Sequence, residues 1–181
     1  MSKIDVLFFH GAGAGAFEAD SRLATDLARH LGDDYTVTIP RMPEEDSSGD
    51  ERWLETIARA IDSAPGRRVL VGHSAGGYVL LKHLADTDIA AEAIAIIAAP
   101  FPGGDPDWTF DGFELPEGFG RALGGPVFLY ASEDDDIVPF AHRDLYAAAI
   151  PGAVTRTTTG GHQLGDDLRL VADDIRAAVE G

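Results

Sequence analysis

Short apolar runs alternate with helical periodicity along the whole chain, and this alternation restricts the fold more than any other feature. Most of the runs are continuously apolar, as strands that are buried on both faces require. Six runs predict strands: Ile4–Phe9, Tyr35–Ile39, Arg68–Val71, Ala93–Ala98, Val127–Tyr130 and Ala153–Thr157. The pattern therefore predicts an α/β fold, with a mostly parallel sheet of about six strands and helices on both faces.

Amphipathic segments lie between these runs. Their apolar stripes are Leu23, Leu27, Ala28 and Leu31; Leu54, Ile57, Ala58 and Ile61; and Leu168, Val171, Ala172, Ile175 and Val179. Ser21 and Asp50 precede the first two stripes and are predicted to cap those helices. No repeat or linker interrupts the pattern, so residues 1–181 are predicted to form a single domain.

Composition excludes several function classes. The chain has no cysteine, so a cysteine nucleophile, a thiolate metal site and a disulfide framework are all ruled out. Its 31 acidic and 14 basic residues give a net charge of −17, which repels nucleic acid and anionic membranes as partners. An acidic surface with little lysine is also what a high-salt cytoplasm favours.

Neither the apolar stretch near the N-terminus nor the longest apolar run has the length of a targeting or membrane segment. The stretch Val6–Phe9 is shorter than the core of a signal peptide, and Ala93–Pro100 is too short to span a bilayer. A cytoplasmic location is therefore expected.

A G-x-S-x-G motif follows the third predicted strand directly. It reads Gly72-His73-Ser74-Ala75-Gly76-Gly77, and the helix-compatible run Tyr78–Ala85 comes after it. On such a strand-to-helix turn a serine is held in strained geometry, which exposes its hydroxyl as a nucleophile. The N–H of Ala75, at the helix start, can stabilise negative charge on an oxygen bonded to the acylated serine. The alternative is a chance match in a chain with 21 glycines.

A serine needs a base, and the base needs a carboxylate to orient it. His162 follows the last predicted strand and precedes the last helix, at the sheet edge where the strand ends meet. The run Glu133–Asp136 follows the fifth strand and supplies the acid. We favour Asp135 for this role, with Asp134 as the alternative. A calcium or magnesium site at Glu133–Asp136 is an alternative, but consecutive acids rarely converge on one ion without ligands from elsewhere in the chain.

The loop after the first strand, His10–Ala16, is built of small residues that let backbone N–H groups approach a substrate. Ala12 is the predicted second oxyanion donor. The part Gly11–Ala16 also matches the dinucleotide-binding pattern G-x-G-x-x-G/A. A dinucleotide site of this kind has an acidic residue after the second strand to bind a ribose hydroxyl, but here Pro40-Arg41 follows that strand. The hypothesis stays open because an arginine at this place can bind a 2′-phosphate.

The segment between residues 101 and 120 is aromatic but has no clear periodicity. A loop this long and apolar must pack against something. We expect it to form the wall of a substrate pocket, and the alternative is a loop anchored by its own aromatic rings. The predicted pocket residues are Phe101, Trp108, Phe110 and Phe113.

Together these residues resemble the YdeN-like small serine hydrolases over nearly the whole chain. The resemblance rests on His10-Gly11, Gly72–Gly77, Ala98–Phe101, Asp107-Trp108 with Phe110, Ser132–Pro139 and Gly161-His162. It implies a minimal α/β-hydrolase without a large lid domain, and a triad of Ser74, Asp135 and His162. In α/β-hydrolases the orienting acid usually stands four residues before the proline of such a segment, which favours Asp135 over Asp134.

The sequence thus predicts a serine hydrolase of small esters or amides that needs no cofactor and no metal. Both ester hydrolysis on small acyl groups and aminopeptidase-like activity are implied by the resemblance. The expected partner is a small-molecule ester or amide, and a protein partner is not indicated. The competing hypothesis is a binding module that retains the fold and uses the surface around residues 101–120 to hold another protein.

Overall fold

A six-stranded parallel sheet forms the centre of the molecule, for which the computed structural model describes residues 3–43, 51–109 and 112–181. The strands are β1 Ile4–Phe9, β2 Tyr35–Thr38, β3 Arg68–His73, β4 Ala93–Ile97, β5 Val127–Ser132 and β6 Val154–Thr158. The helices are α1 Ala16–Leu31, α2 Glu51–Asp62, α3 Ala75–Ala85, α4 Ala141–Ala149 and α5 Arg169–Glu180. Two 3₁₀ turns lie at Phe119–Arg121 and Gly161–Asp166.

The strand order is β2-β1-β3-β4-β5-β6, and every neighbouring pair is parallel. This confirms the predicted sheet. Strand β3 runs two residues further than predicted because Gly72 and His73 pair with Ile96 and Ile97 of β4. Since all strands point the same way, the loops that follow β1, β3, β5 and β6 meet at one edge of the sheet.

Apolar layers cover both faces of the sheet. In β1, Val6 and Phe8 belong to the layer that contains α1 and α5, whereas Leu7 and Phe9 belong to the layer that contains α2, α3 and α4. This alternation follows from the two-residue period of a strand. It confirms helices on both faces.

Two details of the helices differ from expectation. Helix α1 begins at Ala16, after Gly15 in a left-handed conformation, so Ser21 is not its cap. The Ser21 hydroxyl instead donates to the carbonyl of Phe17, one turn earlier in the same helix. In α2 the buried face includes Trp53, which the predicted stripe omitted. The predicted cap Asp50 lies outside the described residues.

An ion pair between a half-exposed arginine and a buried aspartate joins the edge strand β6 to α5. Asp174 of α5 accepts hydrogen bonds from the Tyr130 hydroxyl at 2.9 Å and from Arg156 Nε at 2.9 Å. Arg156 Nη2 donates to the other carboxylate oxygen of Asp174 at 2.6 Å. The pair lies in the layer of α1 and α5, and it fixes an edge strand that contributes few buried side chains.

Within the described ranges, the segment between β4 and β5 contains only the 3₁₀ turn and no lid domain, as predicted. No helix in the described part of the chain is both long and apolar enough to cross a membrane.

Candidate active site

Ser74 occupies the turn between β3 and α3 in a backbone conformation that residues other than glycine rarely adopt, with φ 52° and ψ −127°. Its N–H donates to the carbonyl of Ile97 at 2.8 Å, which ties the turn to the end of β4. The Ser74 side chain is partly exposed, whereas His73 and Ala75 on either side are buried. The predicted strand–serine–helix context is therefore present.

The glycines of the motif are required by close packing of the backbone. A Cβ atom at Gly76 would lie 2.3 Å from the carbonyl oxygen of His10, and one at Gly72 would lie 2.5 Å from the Cα of Gly77. Helix α3 thus starts in direct contact with the end of β1. This contact presses the loop after β1 against Ser74.

Replacing Gly76 with alanine should destabilise the protein by at least about 3 kcal/mol, because the new methyl group must displace backbone rather than a flexible side chain. Urea unfolding followed by circular dichroism measures the change. Gly66→Ala is the matched control, since no heavy atom lies within 4 Å of its added Cβ. Equal stabilities of the two variants would contradict this account of the motif.

His162 lies in the 3₁₀ turn that follows β6, and its ring is held by Asp135. The distance from His162 Nδ1 to Asp135 Oδ2 is 2.8 Å. The other oxygen of Asp135 accepts the N–H groups of Ile137 at 2.9 Å and Val138 at 3.0 Å. The carboxylate only accepts, so Nδ1 carries a proton and Nε2 is left to act as a base in the neutral ring.

Burial opposes ionisation of Asp135, but the hydrogen bonds from His162, Ile137 and Val138 outweigh it and hold the pKa below its ordinary value. Asp134 has a different partner. Its carboxylate accepts the N–H groups of Gly160 and Gly161, each at 3.1 Å, so it fixes the backbone that leads into His162. These carboxylates point at N–H donors, which disfavours the alternative of a metal site at Glu133–Asp136.

Acid should lower the free energy of unfolding, partly because it protonates Asp135. Its pKa is lowered in the folded state and is ~3.9 in an unfolded chain, so its stabilisation is present above about pH 4 and is lost as the pH falls through the folded-state pKa. Urea unfolding between pH 3 and 6 should therefore show a steeper acid loss for wild type than for Asp135→Asn. Parallel curves for the two proteins would contradict the prediction.

A groove of about 230 Å³ opens beside these residues. Its lining comes from the loop after β1, the turn at Ser74, and the loops that carry Ile137 and His162. The lining residues are Gly11–Ala16, Ala19, Asp20, His73, Ser74, Ile137, His162 and Gln163. Ser74 and His162 therefore face one groove, although they are far apart in the sequence.

The predicted oxyanion donors lie on both sides of the serine. Ala12 lines the groove, and Ala75 is the first residue of α3, directly after Ser74. A Cβ atom at Gly11 would lie 3.0 Å from the Cβ of Ser74, which shows how closely the loop approaches the serine. The N–H of Gly11 already donates to Asp20 Oδ2 at 2.7 Å. Ala12 and Ala75 stay predictions for this role.

The aromatic segment does not reach this groove in the described residues. Phe101 packs edge-on against Tyr146, and Trp108 against His142. Phe113 packs against Tyr78 and lies under the Lys82 ammonium group. Phe110 lies outside the described residues. These rings anchor their own loop, as the alternative interpretation expected, because each finds an aromatic partner on α3 or α4.

His142 of α4 anchors the same segment from below. It is buried, accepts the N–H of Phe101 at 2.9 Å through Nδ1, and lies 2.9 Å from Asp105 through Nε2. Its ring therefore holds the start of the aromatic segment in place.

The sequence analysis missed one residue of the site, Asp20. This residue of α1 is fully buried, and its Oδ2 lies 2.8 Å from Nδ1 of His73, the residue before the serine. A signal for Asp20 exists in the sequence. The apolar stripe of α1, continued back by three residues from Leu23, places this carboxylate on the buried face of the helix.

Comparisons with known proteins agree with this fold. A family model described as the alpha/beta hydrolase family matches residues 6–179. No curated protein matches the sequence.

Solved structures match over almost the whole chain. The ydeN gene product of B. subtilis is 22% identical with a TM-score of 0.76, and the match covers 99% of this chain and 100% of that one. A structure from the metagenome-derived lipolytic enzymes LipS and LipT is 19% identical with a TM-score of 0.72, and the match covers 99% of this chain and 94% of that one. Est1E from Butyrivibrio proteoclasticus is 15% identical with a TM-score of 0.71, and the match covers 97% of this chain and 86% of that one. At these identities the likeness establishes the fold.

Proposed function

This chain belongs to the alpha/beta hydrolase family, and we propose that it is a serine hydrolase that cleaves a small carboxylic ester or amide through an acyl-enzyme on Ser74. One observation carries the proposal. The strained Ser74 and the Asp135-bound His162 line the same groove. The ydeN product and the lipolytic and esterase neighbours share the fold, which is consistent with this chemistry.

The proposed reaction uses these side chains in two half-reactions. Ser74 Oγ attacks the carbonyl carbon of the substrate while Nε2 of His162 takes the hydroxyl proton. The tetrahedral oxyanion is stabilised by the N–H groups of Ala75 and Ala12. His162 then gives the proton to the leaving alcohol or amine, and an acyl group remains on Ser74.

A water molecule completes the cycle by attacking the acyl carbon while Nε2 of His162 takes a proton from it. The bond from the acyl carbon to Ser74 Oγ then breaks, the carboxylic acid leaves, and His162 returns the proton to Ser74 Oγ. The carboxylate of Asp135 keeps the ring in one tautomer and stabilises the imidazolium that forms. Burial of this carboxylate among three N–H donors fixes its orientation. No step of this sequence calls for a cofactor.

The groove argues for a small substrate. Its volume of about 230 Å³ is below the range of roughly 300–1,000 Å³ that holds drug-sized ligands. Much of its wall is backbone and methyl groups of Gly11–Ala16, which leaves few side chains to recognise a long chain. We therefore include a short acyl group and a small-molecule partner in the proposal. The cytoplasmic location expected from the sequence is also part of the proposal.

A panel of substrates tests the function and its chemical class. Purified protein is assayed with p-nitrophenyl esters of increasing acyl length and with aminoacyl p-nitroanilides, and it is also labelled with a fluorophosphonate. We expect labelling of one serine, and the highest kcat/KM on the shortest esters. Faster cleavage of the anilides would assign an aminopeptidase-like activity instead.

A wild-type protein that neither hydrolyses these compounds nor reacts with the fluorophosphonate would overturn the proposal. That result would favour the binding module considered from the sequence. Mass spectrometry of a tryptic digest identifies the labelled residue, so labelling at a serine other than Ser74 would also count against the assignment.

A further inference from the structure

A second histidine–carboxylate pair lies directly beneath the groove. His73 and Asp20 are both buried, with side chains 1% exposed, and Nδ1 of His73 lies 2.8 Å from Asp20 Oδ2. The ring centres of His73 and His162 are 4.7 Å apart. The proposed reaction transfers no proton to or from this pair, so its burial needs another explanation.

The pair also binds two other parts of the site. Nε2 of His73 lies 2.9 Å from the carbonyl oxygen of His162, and Asp20 Oδ2, the oxygen that faces His73, also accepts the N–H of Gly11 at 2.7 Å. The pair, which stands on α1 and at the end of β3, therefore connects these two elements to the loop after β1 and to the 3₁₀ turn that carries His162.

The protonation of His73 follows from these partners. A carbonyl oxygen only accepts, so Nε2 must carry a hydrogen, and an ionised carboxylate also only accepts, so Nδ1 must carry one too. Both bonds together require an imidazolium ring. Burial opposes that charge, but the charge and hydrogen bond of Asp20 outweigh it and raise the pKa of His73. The same contacts outweigh burial at Asp20 and lower its pKa.

We propose that Asp20 and His73 form a permanent carboxylate–imidazolium pair that positions the oxyanion loop and the His162 turn for catalysis. This inference rests on the proposed function for its catalytic consequence, but the ionic state of the pair does not. Asp20 and His73 are positioning residues, since they act on the reaction through Gly11 and the backbone of His162. Misplacing a reacting group by about 1 Å can lower a rate by about 10²-fold.

The first test reads the charge directly. Nitrogen NMR of the wild-type protein at pH 7, with the His73 signals identified by their loss in His73→Gln, should show both ring nitrogens of His73 protonated. In Asp20→Asn, one of these nitrogens should lose its proton while Nε2–H stays on the His162 carbonyl. A neutral His73 ring in wild type would overturn the proposal, whether or not the protein is a hydrolase.

The second test separates positioning from stability. In Asp20→Asn we expect kcat on the best ester to fall about 10²-fold with KM unchanged. Asp174→Asn is the matched control, because Asp174 is also a buried carboxylate with several donors but lies away from the groove. The control should lose thermal stability and keep its kcat.

A kcat that falls no further in Asp20→Asn than in Asp174→Asn would overturn the positioning role. Should Asp20→Asn fail to fold, His73→Gln serves in its place, with the same expected loss of kcat. If wild type shows no hydrolysis at all, the proposed function fails, and the nitrogen spectrum still decides whether the pair is ionic.

Discussion

Replacing Ser74 with alanine is expected to lower kcat for ester hydrolysis by at least about 10⁴-fold, because Ser74 carries the only hydroxyl group among the described residues that line the groove. Any rate that remains would come from oxyanion stabilisation and substrate binding alone. Steady-state kinetics on the best p-nitrophenyl ester measure the loss. Fluorophosphonate labelling should disappear in the same variant.

The matched control is Ser63→Ala, whose exposed hydroxyl donates to the Ala60 carbonyl far from the groove. It should keep full activity and labelling. Circular dichroism should give the same spectrum for both variants and wild type. A Ser74→Ala protein that folds and still turns over the ester at a comparable rate would refute the assignment of the nucleophile.

Replacing Asp135 with asparagine is expected to lower kcat by about 10⁴-fold, a loss typical of a triad whose histidine adopts the wrong tautomer. The asparagine amide can donate to Nδ1 of His162, which would shift the ring proton to Nε2 and remove the base. Kinetics on the same ester measure the effect. Fluorophosphonate labelling should slow in parallel, because the first half-reaction also needs the base.

Asp134→Asn is the control that the sequence itself offers. Asp134 binds the N–H groups of Gly160 and Gly161, and an asparagine oxygen can still accept from them. Its kcat should therefore fall far less than that of Asp135→Asn. If Asp134→Asn were the more damaging of the two, the orienting acid would be Asp134.

The sheet was predictable because its strands are buried on both faces. Continuous apolar runs such as Val69–Val71 and Ala93–Ile97 are typical of strands in the middle of a parallel sheet, where both faces are covered. These runs predicted the number of strands and their order along the chain. Strand ends were less predictable, since the pairing of Gly72 and His73 with β4 depends on a neighbour distant in sequence. The predicted cap of α1 was wrong for a local reason, because the left-handed Gly15 starts the helix before Ser21 is reached.

The packing partners of the aromatic segment could not be predicted from the sequence. Aromatic residues without periodicity indicate that a loop packs against the rest of the protein, but they do not indicate which elements it contacts. The partners are Tyr146, His142 and Tyr78, which lie on α3 and α4 and are identified only by three-dimensional contact.

Sequence alone determined the fold class and placed Ser74, because a strand, a glycine-flanked serine and a helix form a local motif whose geometry is set by neighbouring residues. The sequence also predicted that His162 and the acidic run Glu133–Asp136 lie at one edge of the sheet, since the carboxyl ends of parallel strands meet there. Only the tertiary structure shows that Asp135 binds the ring of His162 whereas Asp134 binds the backbone of Gly160, because these hydrogen bonds depend on how the loops after β5 and β6 meet in space. It alone paired Asp20 with His73, because that contact spans 53 residues and depends on how α1 packs against the end of β3.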